Sequence, residues 1–309
     1  MSERFLVTGA HGCIGAWVLR HLVREGVEVV AADYSTDDRR VAALLGEEER
    51  SRIEFVRVDV SRPEGVAALF EHEPTRVVHL AALQVPACRE DPVRGAQVNV
   101  AGTLAVFAAA ARANARVVYA SSAAAFAADD DGTEPSGHPA THYGVFKLAN
   151  EEAARIFAAE GGLTSVGLRP YVVYGPGRDQ GLTSAPTLAM EAAALGEPYT
   201  IPYSGRSQLQ FASDAAAALV AAARAPVDGA TVLNLPGVTA SVDEIVAAIE
   251  RAVPEAAGAI GVTGPPLPFP PELDASAFAT AVGDLPVTPL DDGVAATIAY
   301  FRTAGRTVS

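Results

Sequence analysis

The chain has 309 residues, half of them hydrophobic and two of them cysteines, and it carries a net charge of −14. That length holds one large or two modest domains with a core that needs no disulfides, and no apolar run is long enough to span a membrane. The acidity and the dispersed arginines argue against a nucleic-acid partner, which requires a basic face. Neither Cys13 and Cys88 nor the six histidines stand at metal-ligand spacing, so no metal is expected. The opening MSERFLVTG lacks the basic and apolar order of a signal peptide, and the expected compartment is the cytoplasm.

Six short runs, at residues 5–8, 27–32, 53–58, 77–80, 117–121 and 165–168, are β-branched and nearly continuously apolar, as strands buried on both faces should be. Helical periodicity lies between them: Ile14, Val18 and Leu22 share one face, and so do Val100, Leu104 and Phe107. Alternating strand and helix predict an α/β fold with a doubly wound parallel sheet. After Arg169 the loops become rich in Gly and Pro, as in YGPGRDQG, GEPYTIPYSGR and TGPPLPFPPE. Helices are expected there at 185–195, 212–223, 242–251 and 292–303. This second part reads as a smaller substrate-binding lobe on the carboxyl edge of the sheet. The acidic run 129–132 reads as an exposed loop.

The first strand ends in Thr8-Gly9-Ala10-His11-Gly12-Cys13-Ile14-Gly15, and a helix follows. Gly9 permits a tight turn, Gly12 lets backbone approach a pyrophosphate, and Gly15 allows close helix–strand packing. The helix N-terminus offers free N–H groups to the phosphates. Asp33, at the end of the second strand, can accept both hydroxyls of an adenosine ribose and would repel a 2′-phosphate, which favours NAD over NADP. Arg39 and Arg40 follow closely and could blur that preference. Asp59, after the third strand, is placed to meet the adenine.

Tyr143 and Lys147 stand four residues apart at the start of a predicted helix, on one face. Tyrosine is a poor base at its ordinary pKa, and a neighbouring ammonium brings the phenolate closer to working pH. Lys147 is the only lysine in the chain. Ser121 and Ser122 close the fifth strand at the ligand-binding edge, where a hydroxyl can hold a substrate oxygen.

Together these segments resemble the extended short-chain dehydrogenase/reductases, the NAD-dependent epimerase/dehydratase group, along essentially the whole chain. The matching stretches are the glycine loop, Asp33, Asp59-Val60, His79-Leu80-Ala81-Ala82, Asn99-Val-Ala-Gly-Thr103, Ser121-Ser122 and the YxxxK helix. Further on come Leu168-Arg-Pro170, Tyr174-Gly-Pro-Gly177 and the late PVTPLDDG. The resemblance implies a Rossmann-type NAD-binding domain over residues 1–170 that carries the proton chemistry. Residues 171–309 would be mainly a C-terminal α/β substrate lobe, with some segments returning to the Rossmann core. It implies Tyr143 as general acid/base, Lys147 on the nicotinamide ribose and Ser122 on the substrate oxygen. His11, Cys13, Ile14, Val60, Leu80, Ala81, Ala82 and Asn99 would line the cofactor, with Tyr171, Val172 and Val173 near its carboxamide. It also implies a homodimer built on the helix after Asn99 and the Tyr143 helix, whose alanines (Ala108–Ala111, Ala149, Ala153, Ala154) permit close packing.

Two departures narrow the reaction. Members that eliminate water carry an Asp-Glu pair after the strand-five hydroxyl, and here Ala123-Ala124 stand there. Members that act on nucleotide sugars usually grip the diphosphate with arginines in the second lobe. Here Arg178 and Arg206 are the candidates, and residues 252–301 hold no basic residue. Gln84, Gln180, Gln208 and Gln210 would offer hydrogen bonds to sugar hydroxyls, and Ala123 would border the substrate. The expected function is an epimerase with tightly held NAD. The alternatives are a dehydrogenase of a free uronate, aldose or polyol and, from another class, a non-catalytic NAD-binding sensor.

Overall fold

The structure, a computed structural model, describes residues 3–306, with side chains through residue 303. Its central sheet joins β1 (Arg4–Thr8), β2 (Glu28–Asp33), β3 (Glu54–Arg57), β4 (Arg76–His79), β5 (Arg116–Ala120) and β6 (Ser165–Arg169). The remaining strands are β7 (Val172–Tyr174), β8 (Tyr199–Ile201), β9 (Arg206–Phe211), β10 (Ala230–Asn234), β11 (Val238–Ser241) and β12 (Ile260–Val262). The seven-stranded order is β10-β6-β5-β4-β1-β2-β3, and every pairing is parallel. Direction of winding reverses between β1 and β4, and their carboxyl ends open the crevice where such sheets bind ligands.

Burial follows strand position. β1 and β4 to β6 lie in the interior, but three of the four residues of β3 are exposed and the fourth is half-buried, with Phe55 41% exposed. The expectation of burial on both faces fails there because β3 is the edge strand and has only β2 as partner. Its Glu54 and Arg57 are the charged side chains that keep an open edge from pairing with another chain.

The helix Cys13–Arg24 buries Val18 and Leu22 completely and packs against the helix Ala212–Arg224. With β10 beside β6, residues 212–234 thus belong to the layers of the central sheet. The stripe Val100, Leu104, Phe107 is broken by a π-helical turn over Gln97–Ala101, which adds a residue per turn and shifts the phase. Phe107 enters the core, while Val100 and Leu104 border an open apolar groove. In the second part, β11, β9 and β7 form a small sheet and β12 pairs with β8. The helices Ala185–Leu195, Val242–Ala252 and Leu290–Arg306 surround a separate core that includes Met190, Tyr203, Ile245 and Ile298. The acidic run 129–132 is not all surface: Gly132 is buried, and its carbonyl accepts from Asn234 Nδ2 at 3.2 Å.

Candidate active site

The glycine loop is shaped by contacts that a side chain would close. A Cβ on Gly9 would stand 2.7 Å from the Ala81 nitrogen, and one on Gly15 would stand 2.3 Å from the Gly9 carbonyl oxygen. Gly9 also has φ +69, which glycine adopts without strain. β1 and β4 can therefore release their chains side by side at the crevice. Gly12 is the N-cap of the first helix and gives it no side-chain cap. The first-turn N–H groups at residues 13–15 consequently face the cleft as donors, and the first turn carries no acid to compete with an anion. Asp33 stands beside them: it accepts from His11 N and from Ser35 N, each at 2.9 Å. This cradle fits a dinucleotide phosphate and an adenosine ribose.

The second half of the cleft comes from β5 and the helix His142–Gly161. Thr141 caps that helix by accepting from Gly144 N at 3.0 Å. A Cβ on Gly144 would lie 2.0 Å from the Ala124 carbonyl, so only glycine lets the helix start this close to the end of β5. That approach brings Tyr143 to Ser122 and lets Lys147 Nζ donate to the Ala120 carbonyl at 2.6 Å. Lys147 Nζ also lies 5.3 Å from the centre of the Tyr143 ring.

Gly9, Gly12, Cys13, Ile14, Gly15, Leu80, Ala82, Gln84, Ser122, Ala123, Tyr143, Lys147, Tyr171, Val173 and Arg178 all line one cleft of about 180 Å³. Among the described residues, its charged lining groups are Lys147 and Arg178, so an acidic protein presents a cationic site. Phe269 and Thr183, from the second part of the chain, close the far wall. Nothing local in the sequence marks either one.

Burial dominates the electrostatics. It pushes the Tyr143 hydroxyl up to about 12, against the pull of the Arg178 charge and of the nearby Ser122 hydroxyl. It pushes Lys147 down to about 8, partly opposed by Cys88 and Glu151. The positive charge that lowers the tyrosine is thus Arg178 and not the expected Lys147, and desolvation outweighs it.

Other candidates fall elsewhere. Asn99 is buried, and its amide clamps Leu83, accepting from Leu83 N at 2.7 Å and donating to Leu83 O at 2.9 Å; it shapes the wall without lining the cleft. Ala81, Val60 and Val172 also lie behind the lining. The His11 ring turns to the Ser35 carbonyl at 2.8 Å and packs on Phe55. Asp59 accepts from Ser61 Oγ at 2.6 Å and from Arg94 Nη2 at 2.9 Å. Arg206 lies outside the cleft because β9 begins beside the helix Val242–Ala252, and its guanidinium binds Glu244 at 3.0 Å. Gln208 is buried and points toward the Leu273 carbonyl, at a different hollow.

Sequence reasoning passed over a buried cluster directly behind the cleft. Ser121 donates to Glu151 Oε1, and Arg169 binds the same carboxylate at 2.9 and 2.8 Å through Nε and Nη2. Arg169 Nη1 donates to Asn234 at 3.2 Å. The spacing Tyr143, Lys147, Glu151 on one helix face was the available signal.

Comparison with known proteins identifies the family and the fold. The model of the NAD dependent epimerase/dehydratase family matches residues 5–235. The UDP-glucose 4-epimerase of Mycolicibacterium smegmatis is 30% identical over 317 residues, spanning 97% of this chain and 98% of its own. The UDP-glucose 4-epimerase of Thermus thermophilus, solved with NAD, superposes with a TM-score of 0.83 at 26% identity, covering 98% of this chain and 100% of that one. The L-threonine dehydrogenase of Clostridium difficile shares the fold, with a TM-score of 0.86 at 20% identity over 98% of this chain and 99% of its own. The chain thus belongs to the NAD-dependent epimerase/dehydratase family, among the extended short-chain dehydrogenase/reductases.

Proposed function

We propose that this protein transfers hydride at a carbinol or keto carbon of a sugar or sugar-like substrate, as an epimerase that keeps its NAD through the cycle. The observation that carries this reading is the meeting of Ser122, Tyr143 and Lys147 with the glycine loop in one cleft. When bound, NAD supplies the hydride acceptor and returns the hydride. The N–H groups of residues 13–15 hold the pyrophosphate, Asp33 the adenosine ribose and Lys147 the nicotinamide ribose. Tyr171 and Val173 form the wall near the carboxamide, with Val172 behind them.

Ser122 orients the substrate oxygen, and Tyr143 takes its proton as the carbon is oxidised and returns it on reduction. The keto sugar turns over between the two transfers, which inverts one centre with no net redox change. Ala123 and Ala124 leave no acid and base for eliminating water. Arg178, Gln84 and Thr183 receive the distal part of the substrate. The full-length similarity to UDP-glucose 4-epimerases supports this version.

One observation favours a second version, a dehydrogenase of a free uronate, aldose or polyol. With Arg206 committed to Glu244, Arg178 is the one arginine lining the cleft among the described residues, which is thin support for a diphosphate. Native mass spectrometry and absorbance of freshly purified protein decide between them. About one dinucleotide per subunit supports the epimerase. Empty protein that reduces NAD with free sugars supports the dehydrogenase and sinks the leading reading.

The protein is further proposed to act as a cytoplasmic homodimer. Its cysteines are unpaired, and no helix among the described residues is long and apolar enough to cross a membrane. The apolar groove bordered by Pro92, Val93, Ala96, Val100, Leu104 and Phe146 supports pairing at the two helices expected from the sequence. Three of the seven alanines singled out for it, Ala109, Ala110 and Ala154, are buried inside the subunit.

A further inference from the structure

Arg40 follows Asp33 by seven residues and could serve a phosphate on the adenosine ribose. The structure shows what occupies it. Nη1 donates to the His11 carbonyl at 3.1 Å, and Nε and Nη2 donate to Asp179 Oδ1 at 3.2 and 2.5 Å. On the other side of the same loop residue, the His11 N–H donates to Asp33 Oδ2 at 2.9 Å. One residue of the glycine loop therefore separates the ribose-accepting carboxylate from a guanidinium whose side chain is only 14% exposed.

Asp179 comes from residues 175–181, a segment with three glycines at positive φ. Trp17 Nε1 pins that segment to the first helix by donating to the Pro176 carbonyl at 3.0 Å. The other two arginines near the end of β2 are also engaged: Arg39 pairs with Asp37 at 3.1 Å, and Arg57 Nε donates to the Tyr34 carbonyl at 3.2 Å.

We propose that Asp179 is a cofactor-specificity residue, which holds Arg40 against the glycine loop and so denies a 2′-phosphate the guanidinium it would need. The inference rests on the NAD reading above. A dianionic 2′-phosphate requires charge-assisted donors. With Asp33 and Asp179 on either side of His11, the Arg40 guanidinium is outnumbered by two carboxylates. Discrimination against NADP is thus shared between an acid at the end of β2 and an acid 139 residues from Arg40 in the chain.

The test is calorimetric titration of NAD and NADP into the wild type, Asp179→Ala, Arg40→Ala and the double variant, each first stripped of any dinucleotide it carries. Losing the contact with residues 175–181 weakens both dinucleotides alike, so the ratio of dissociation constants isolates specificity. Asp179→Ala is expected to shift that ratio toward NADP by about tenfold, the worth of one charge-assisted contact. The shift should shrink with added salt and vanish in the double variant. An unchanged ratio in Asp179→Ala, or a shift that persists without Arg40, overturns the proposal. If the wild type binds neither dinucleotide, the NAD reading itself fails and takes this inference with it.

Discussion

The helix His142–Gly161 carries two polar clusters, one at each side of the end of β5, and they are built on opposite principles. At the front, Tyr143 and Lys147 face the cleft, and burial moves each toward its neutral form, to about 12 and about 8. At the rear, Glu151 meets Arg169 through two hydrogen bonds, with Ser121 donating to the same carboxylate. Burial works against the Arg169 charge, yet Glu151 and Glu134 hold its pKa above the ordinary value. The adjacent serines divide between them: Ser121 joins the matched rear and Ser122 the unmatched front. A titratable group left without its counter-charge is available for chemistry, whereas a matched pair holds structure.

Tyr143→Phe should break the front alone. Turnover is expected to fall about 10²- to 10⁴-fold, the range of a general acid/base, while the melting temperature and NAD affinity stay close to wild type. Steady-state kinetics beside a thermal melt would show it, and undiminished turnover would remove Tyr143 from the proton path.

Glu151→Ala should break the rear, and through it the front. Leaving Arg169 without its buried partner, and with only the exposed Glu134 beside it, is expected to cost about 3 kcal/mol of stability by urea unfolding. Lys147 also loses a group that raises its pKa, so that pKa should fall further below about 8. A variant as stable as the parent would mean that the rear pair is not structural.

A third, neutral cluster lies behind Lys147. His79 Nδ1 contacts Thr8 Oγ1 at 2.7 Å and Nε2 contacts Thr103 Oγ1 at 3.0 Å. Thr103 Oγ1 donates onward to the Asn99 carbonyl at 2.8 Å, so it accepts from Nε2–H, and the Thr8 hydroxyl is placed to donate to Nδ1 of a neutral ring. Burial, with Lys147 nearby, lowers the His79 pKa from 6.5 to about 3. The unfolded chain then takes a proton that the folded chain refuses. The stability this group contributes is complete above pH 6.5 and is lost as pH falls toward 3. The slope should be at most about 1.4 kcal/mol per pH unit. Urea titrations across that window should show a shallower acid limb for His79→Gln, and parallel limbs would contradict the neutral assignment.

Much of this was legible in the chain because the signals are local. The strands at 5–8 and 77–80, the glycine loop and the Tyr143/Lys147 spacing each need only a short window. Their chemistry is specific, since few residues can replace a glycine whose Cβ would meet backbone. The helix expected at 185–195 forms there for the same reason: a continuous periodic run needs no distant partner.

The order of the elements, and that the glycine loop, Ser122, Tyr143 and Lys147 meet at one cleft, could be read from the chain alone. Which charges meet could not. Arg169 and Glu151 lie 18 residues apart and Arg40 and Asp179 lie 139 apart, and no periodicity links such pairs. Folding in three dimensions also keeps Arg206 outside the cleft, sends Val100 and Leu104 to the surface groove through a π turn, and moves Tyr143 and Lys147 away from their ordinary pKa values. Each of these outcomes depends on burial and on Coulomb interaction, which fall off with distance through space and are blind to distance along the chain.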